Sequence, residues 1–111
     1  MTGWNTLTNV QELNDAMSVS EEKPVVFFKH STRCSISTMD YNRVEQSSAQ
    51  LAEVAQCYYL DLIAYRDVSN SIAQELGVQH ESPQVLVVKN KECTFSSSHY
   101  DIRPSEILNQ I

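Results

Sequence analysis

The chain has little punctuation, with two glycines and three prolines in 111 residues. It shows no internal repeat, no low-complexity tract and no linker, so a single domain over residues 1–111 is expected. Long hydrophobic runs are missing too. Apolar stretches reach only four residues, as in Val25–Phe28, against the roughly 20 a membrane helix needs. Positive charge is scarce: eight Lys and Arg stand against 14 Asp and Glu, a net charge of -6, and the basic residues are scattered. Such a chain has no stripe with which to track a phosphate backbone, which argues against nucleic acid as a partner. Residues 1–20 lack the basic start and apolar core of a secretory signal, so a cytoplasmic location is expected, with no membrane association. Cysteine is limited to Cys34, Cys57 and Cys93, an odd number that excludes an all-paired disulfide framework. No Cys-x-x-Cys pair exists, so neither a vicinal redox dithiol nor a zinc site is expected.

What is present reads as alternating helices and strands. Val10, Leu13, Ala16 and Met17 recur at helical spacing over 9–18, with Thr8 or Asn9 placed to cap. Val25–Phe28 is apolar on both sides of a strand, the pattern of a central parallel strand covered on both faces. Residues 35–55 predict helix, broken near Ser47–Ser48, with Ile36, Val44, Leu51 and Val54 on its inner face and Met39 at the edge. Cys57–Leu62 predicts a second strand. A helix over Asp67–Leu76 follows, with Val68, Ile72, Ala73 and Leu76 inward, Asp67 as N-cap and Gly77 just past its end. Beyond Pro83, Val85–Lys89 and Cys93–Ser97 read as a hairpin turning at Lys89–Glu92. Pro104, with Ile107, Leu108 and Ile111, opens a last helix.

The order α-β-α-β-α-β-β-α, with right-handed crossovers, predicts an α/β thioredoxin-like fold. Its central sheet is expected to be mixed and four-stranded, with helices on both faces. Chemistry in such folds gathers beyond the carboxyl ends of the parallel strands. Cys34 lies past the end of the first strand and at the start of the next helix. Cys57 and Cys93 fall at the opposite end of the sheet, a strand length of about 17 Å away. Disulfide-bonded Cα atoms lie roughly 4.4–6.8 Å apart, so neither can pair with Cys34. Both read as small buried hydrophobes. Pro83, entering an antiparallel strand, is expected beside Cys34 with a cis peptide bond.

The thiolate is the reactive form of cysteine. The N-terminus of the following helix, together with Lys29, His30 and Arg33, should lower the Cys34 pKa. No acidic residue occurs between Glu22 and Asp40 to cancel that field.

The segments KHSTRCSIS (29–37), YYLDL (58–62), YRDVSN (65–70), GVQHESPQVLVV (77–88) and SSSHYDI (96–102) resemble the YtxJ-type monothiol bacilliredoxins, a bacillithiol-linked family. That family's usual motif is TCPIS; here Arg33 stands for the Thr and Ser35 for the Pro, while Cys34, Ile36 and Ser37 match. The resemblance implies a thiol–disulfide oxidoreductase. It would remove bacillithiol, or a similar low-molecular-weight thiol, from S-thiolated cytosolic proteins by a monothiol mechanism. Bacillithiol would be a co-substrate, with no cofactor required. Cys34 is then the catalytic nucleophile, and Ser37, where a dithiol would carry its second sulfur, can donate a hydrogen bond to the thiolate. Ser82 and Pro83 can offer backbone groups to an extended substrate. Arg33 and Arg66 are candidates for a carboxylate of the small thiol, against the plainer reading as solvated arginines. His80 and His99 can polarise a leaving sulfur, against the plainer reading as structural hydrogen-bonders. The rival readings are a redox-inactive peptide-binding module of the same fold and, last, a single-cysteine arsenate reductase. The latter needs several arginines around the sulfur, where only Arg33 is near in sequence.

Overall fold

The computed structural model describes residues 3–31 and 35–111, and of residues 35–37 the backbone alone. The elements, in chain order, are β1 (Asn5–Thr6), α1 (Val10–Val19), β2 (Val25–His30), α2 (Ser35–Gln46), α3 (Ser48–Val54), β3 (Gln56–Asp61), α4 (Arg66–Leu76), β4 (Gln84–Lys89), β5 (Glu92–Ser98), a 3₁₀ turn (His99–Asp101) and α5 (Pro104–Asn109). They form a mixed five-stranded sheet in the order β1-β3-β2-β4-β5. Strands β1, β3 and β2 are parallel, and the β4–β5 hairpin runs antiparallel to β2. The thioredoxin-like α/β architecture is therefore as expected, with one strand more than the four predicted. The extra strand, β1, is two residues long and pairs Asn5 with Tyr58 and Thr6 with Tyr59. So short a piece has no alternating pattern to detect.

All six residues of β2 are buried. Their side chains alternate between two cores, the period-two geometry of a strand. Val25 and Phe27 pack with Leu13 and Met17 of α1 and with Val68 and Ile72 of α4. Val26 and Phe28 pack with Val44 of α2, Leu51 of α3 and Ile107 of α5. Fully burying a side chain such as Phe or Val contributes about 1.5–3 kcal/mol, so β2 is the spine of the sheet.

Helix ends follow local chemistry. Asn9 caps α1 by accepting from the Glu12 N–H, while the Glu12 carboxylate accepts from the Thr8 N–H and hydroxyl. The Thr8 donors hold the Glu12 carboxyl below the usual carboxylate range. The break between α2 and α3 falls at Ser47, as predicted. The inner face of this pair differs from expectation, however. Val44 and Leu51 are fully buried, but Val54 is 47% exposed and Met39 56%. The helix is interrupted at Ser47, so one continuous spacing does not carry from α2 into α3, and Asp40 and Ser48 are buried. Asp67 is not the cap of α4: Tyr65 occupies that position, and Asp67 sits in the first turn. Gly77 ends α4 at φ 65°, the left-handed conformation that favours glycine. The hairpin turns through Asn90 and Lys91, at φ 52° and 63°, as a two-residue turn with both central residues left-handed.

Candidate active site

The candidate site is built where β2 ends, beside the start of β4. Residues Lys29 and Gln84 are partners in the antiparallel ladder, and the Ser82–Pro83 peptide bond before Gln84 is cis, as expected. The loop before Pro83 is held from within. The Gln84 side chain accepts from the Glu81 N–H at 3.4 Å and donates to the Gln79 carbonyl at 3.0 Å. Pro83 has no N–H to offer, and its carbonyl already accepts from the His99 N–H at 3.0 Å. Of the pair proposed for peptide binding, Ser82 therefore has the freer backbone.

The two candidate histidines lie on different faces of the sheet. His80 is half-buried on the α4 side. Its Nδ1 is 3.3 Å from the Lys29 Nζ and 3.2 Å from the Ser69 hydroxyl. His99 is exposed on the α2 side and opens the 3₁₀ turn at φ 53°, left-handed for a non-glycine residue. Its charge acts on Asp40, where burial raises the carboxyl pKa and Arg43 and His99 oppose the rise. Asp40 is 1% exposed, and its Oδ2 has no hydrogen-bond partner. Its other oxygen lies 3.6 Å from Arg43, whose guanidinium also donates to the Ile102 carbonyl at 3.0 Å. Arg66, at the exposed first turn of α4, acts on His80 through space.

Lys29 was read from the sequence only as a nearby positive charge. In the fold it is fully buried, and burial lowers its pKa to about 8. Its ammonium donates to the Ser69 carbonyl at 3.1 Å. The alternation in VVFFKH already carried this signal: Lys29 shares the face of Val25 and Phe27, in a strand predicted to be covered on both sides. The acidic neighbours were also underread. Asp61 of β3 pairs with His30 in the parallel ladder, and its carboxylate accepts from the Ile63 and Ala64 N–H groups. His30 is buried among the rings of Phe28, Tyr41 and Tyr59, with centroid separations of 5.8, 5.0 and 5.8 Å.

Arg33 and Cys34 lie outside the described residues, and the Ser37 side chain is likewise not described. Ser35 is the first residue of α2, whose first turn has no acidic residue. The other two cysteines are placed at the far end of the sheet. Cys57 pairs with Val26 near the amino end of β2, and Cys93 pairs with Val88, itself opposite Val25. Burial pushes the Cys57 thiol up to about 12, and it raises that of half-buried Cys93 as well. Among the described residues no three His, Cys, Asp or Glu side chains converge to hold a metal ion. No described helix is long and apolar enough to cross a membrane.

Comparison with known proteins agrees with this geometry. A family model described as monothiol bacilliredoxin BrxC matches residues 5–107. A structure described as a candidate oxidoreductase with a thioredoxin fold is 32% identical, at a TM-score of 0.80, covering 96% of this chain and 91% of that one. Thioredoxin O2 from Arabidopsis thaliana, in its oxidised state, matches at a TM-score of 0.76 and 19% identity, over 99% of this chain and 95% of its own. Thioredoxin from Fasciola hepatica matches at 0.75 and 11% identity, over 96% and 95%. The last two likenesses show the fold.

Proposed function

The chain belongs to the monothiol bacilliredoxin family, and on that premise we propose that it removes bacillithiol, or a similar low-molecular-weight thiol, from S-thiolated proteins, with Cys34 as the attacking sulfur. That it is a redox protein of thioredoxin-like fold follows from the family and its structural relatives. The monothiol step is supported chiefly by one observation. Cys57 and Cys93 both sit at the amino end of β2, whereas Cys34 follows its carboxyl end in the chain.

In the first exchange the Cys34 thiolate attacks the bacillithiol sulfur of the mixed disulfide. A Cys34–bacillithiol disulfide forms, the protein–bacillithiol bond breaks, and its electron pair leaves on the protein sulfur, which then takes a proton. In the second exchange a free low-molecular-weight thiol attacks the adduct. It regenerates the Cys34 thiolate and leaves as a disulfide with bacillithiol. The disulfide is passed on at each step, and no further oxidant is needed. A serine at position 37 suits this scheme, since a thiol there would expel the small thiol intramolecularly. Cys34 immediately precedes α2 in the chain, and a helix dipole favours an anion near its N-terminus, whereas the raised pKa values of Cys57 and Cys93 keep those thiols protonated at neutral pH.

Mass spectrometry after incubation with oxidised bacillithiol tests the reading. The expected product is one adduct per chain, on Cys34, absent from Cys34→Ser. An unmodified Cys34 in a protein that still binds extended peptides would instead indicate the redox-inactive module.

A further inference from the structure

The fully buried ammonium of Lys29 has no role in the exchange just described. Burying a charge without a counter-charge is costly, and among the described residues no carboxylate lies within ion-pair distance of it. Its described partners are the Ser69 carbonyl and the His80 Nδ1. An ammonium carries only donors. While Lys29 is charged it favours an accepting ring nitrogen 3.3 Å away, and the Ser69 hydroxyl, 3.2 Å from the same nitrogen, is free to donate to it as well. An imidazole with an accepting Nδ1 is neutral and carries its proton on Nε2.

We propose that Lys29 is a positioning residue that fixes His80 as the neutral Nε2–H tautomer, so that His80 presents a hydrogen-bond donor to the sulfur that leaves in the first exchange. The proposal rests on the function inferred above. Its geometry is independent of that function: Lys29 pairs with Gln84, and His80 stands three residues before cis-Pro83 in a loop that Gln84 itself pins. Both side chains thus belong to the carboxyl end of β2, the end from which the chain continues to Cys34. The described charges acting on His80 are Lys29 from β2, Arg66 from α4 and Glu81 from its own loop. Burial first, then Lys29 and Arg66, lower its pKa, and Glu81 opposes them. The ring therefore stays neutral at pH 7 and donates without carrying a charge. When Lys29 itself loses its proton, near pH 8, the amine can accept and the constraint on the tautomer lapses.

The test is long-range ¹H–¹⁵N correlation NMR of the histidine rings in the intact, reduced protein. It is paired with the rate at which a protein substrate is released from its mixed disulfide with bacillithiol. At pH 7 the expected His80 signature is a protonated Nε2 and an unprotonated Nδ1. In Lys29→Met that signature gives way to a tautomer mixture, and release slows by the share of rings that lose the Nε2 proton, about twofold for an even mixture. His80→Ala, on the surface side of the pair, removes the donor and is expected to slow release by about tenfold, near the size of one hydrogen bond to a charged group, without touching the core. It therefore decides the matter even if Lys29→Met fails to fold. An Nδ1–H tautomer in the native protein, or a release rate unchanged in His80→Ala, would overturn the proposal. Failure of the native protein to form any Cys34 adduct would instead sink the function on which it rests, whatever tautomer is seen.

Discussion

Lys29 shows how a single position can oppose local chemistry and still be held by the fold. It takes the place of an apolar residue in β2 and meets a carbonyl and an imidazole instead of an anion. Its proton is held less tightly in the folded chain, with a pKa of about 8 against 10.5 for the free side chain. Between those values the unfolded chain binds more protons, so this group makes stability rise with pH across that window. Cys57 works in the opposite sense. Its pKa is raised from 9.0 to about 12, so stability falls as the unfolded thiol ionises above pH 9. Comparing the native protein with Lys29→Met cancels the Cys57 contribution. From pH 8 to pH 10.5 the native protein should gain on the variant by up to about 3 kcal/mol. Denaturant titrations at several pH values measure this, and a difference flat in pH contradicts the buried-ammonium account. The covered run in the sequence reading is Val25–Phe28, and Lys29 enters it only as a charge, although the alternation of VVFFKH sets it on the face of Val25 and Phe27. Its partners were not legible, because Ser69 and His80 are 40 and 51 residues away in the chain.

Elements were more legible than their ends. Periodicity located both halves of the α2–α3 pair, and the break falls at Ser47 as expected. It misplaced Val54, because spacing counted through the interruption at Ser47 does not hold for the separate helix that follows. The N-cap of α4 went to Asp67 on propensity, yet the chain enters that helix at Tyr65 from a turn governed by Asp61. The other end of α4 was read correctly from Gly77. A Cβ there would meet nothing within 4 Å, while φ is 65°. Gly77→Ala should therefore cost about 1 kcal/mol from backbone strain alone. An unchanged or raised denaturation midpoint would show that the turn accepts another conformation.

For the molecule as a whole, the alternation of helices and strands specified the architecture, and the fold specified the end of the sheet that Cys57 and Cys93 occupy. Two features escaped at this scale. Strand β1 is too short to pattern. The flanking of Pro83 by His80 from one face and His99 from the other arises only when the sheet assembles. The central claim is that a single sulfur carries the reaction and that Cys57 and Cys93 take no part. The most direct measurement is turnover of an S-bacillithiolated protein, with excess reduced bacillithiol, by the Cys57→Ala/Cys93→Ala double variant. The account expects turnover within about twofold of the native rate, since neither thiol enters a step, and none in Cys34→Ser. Loss of turnover in a folded double variant, or its persistence in Cys34→Ser, would contradict it.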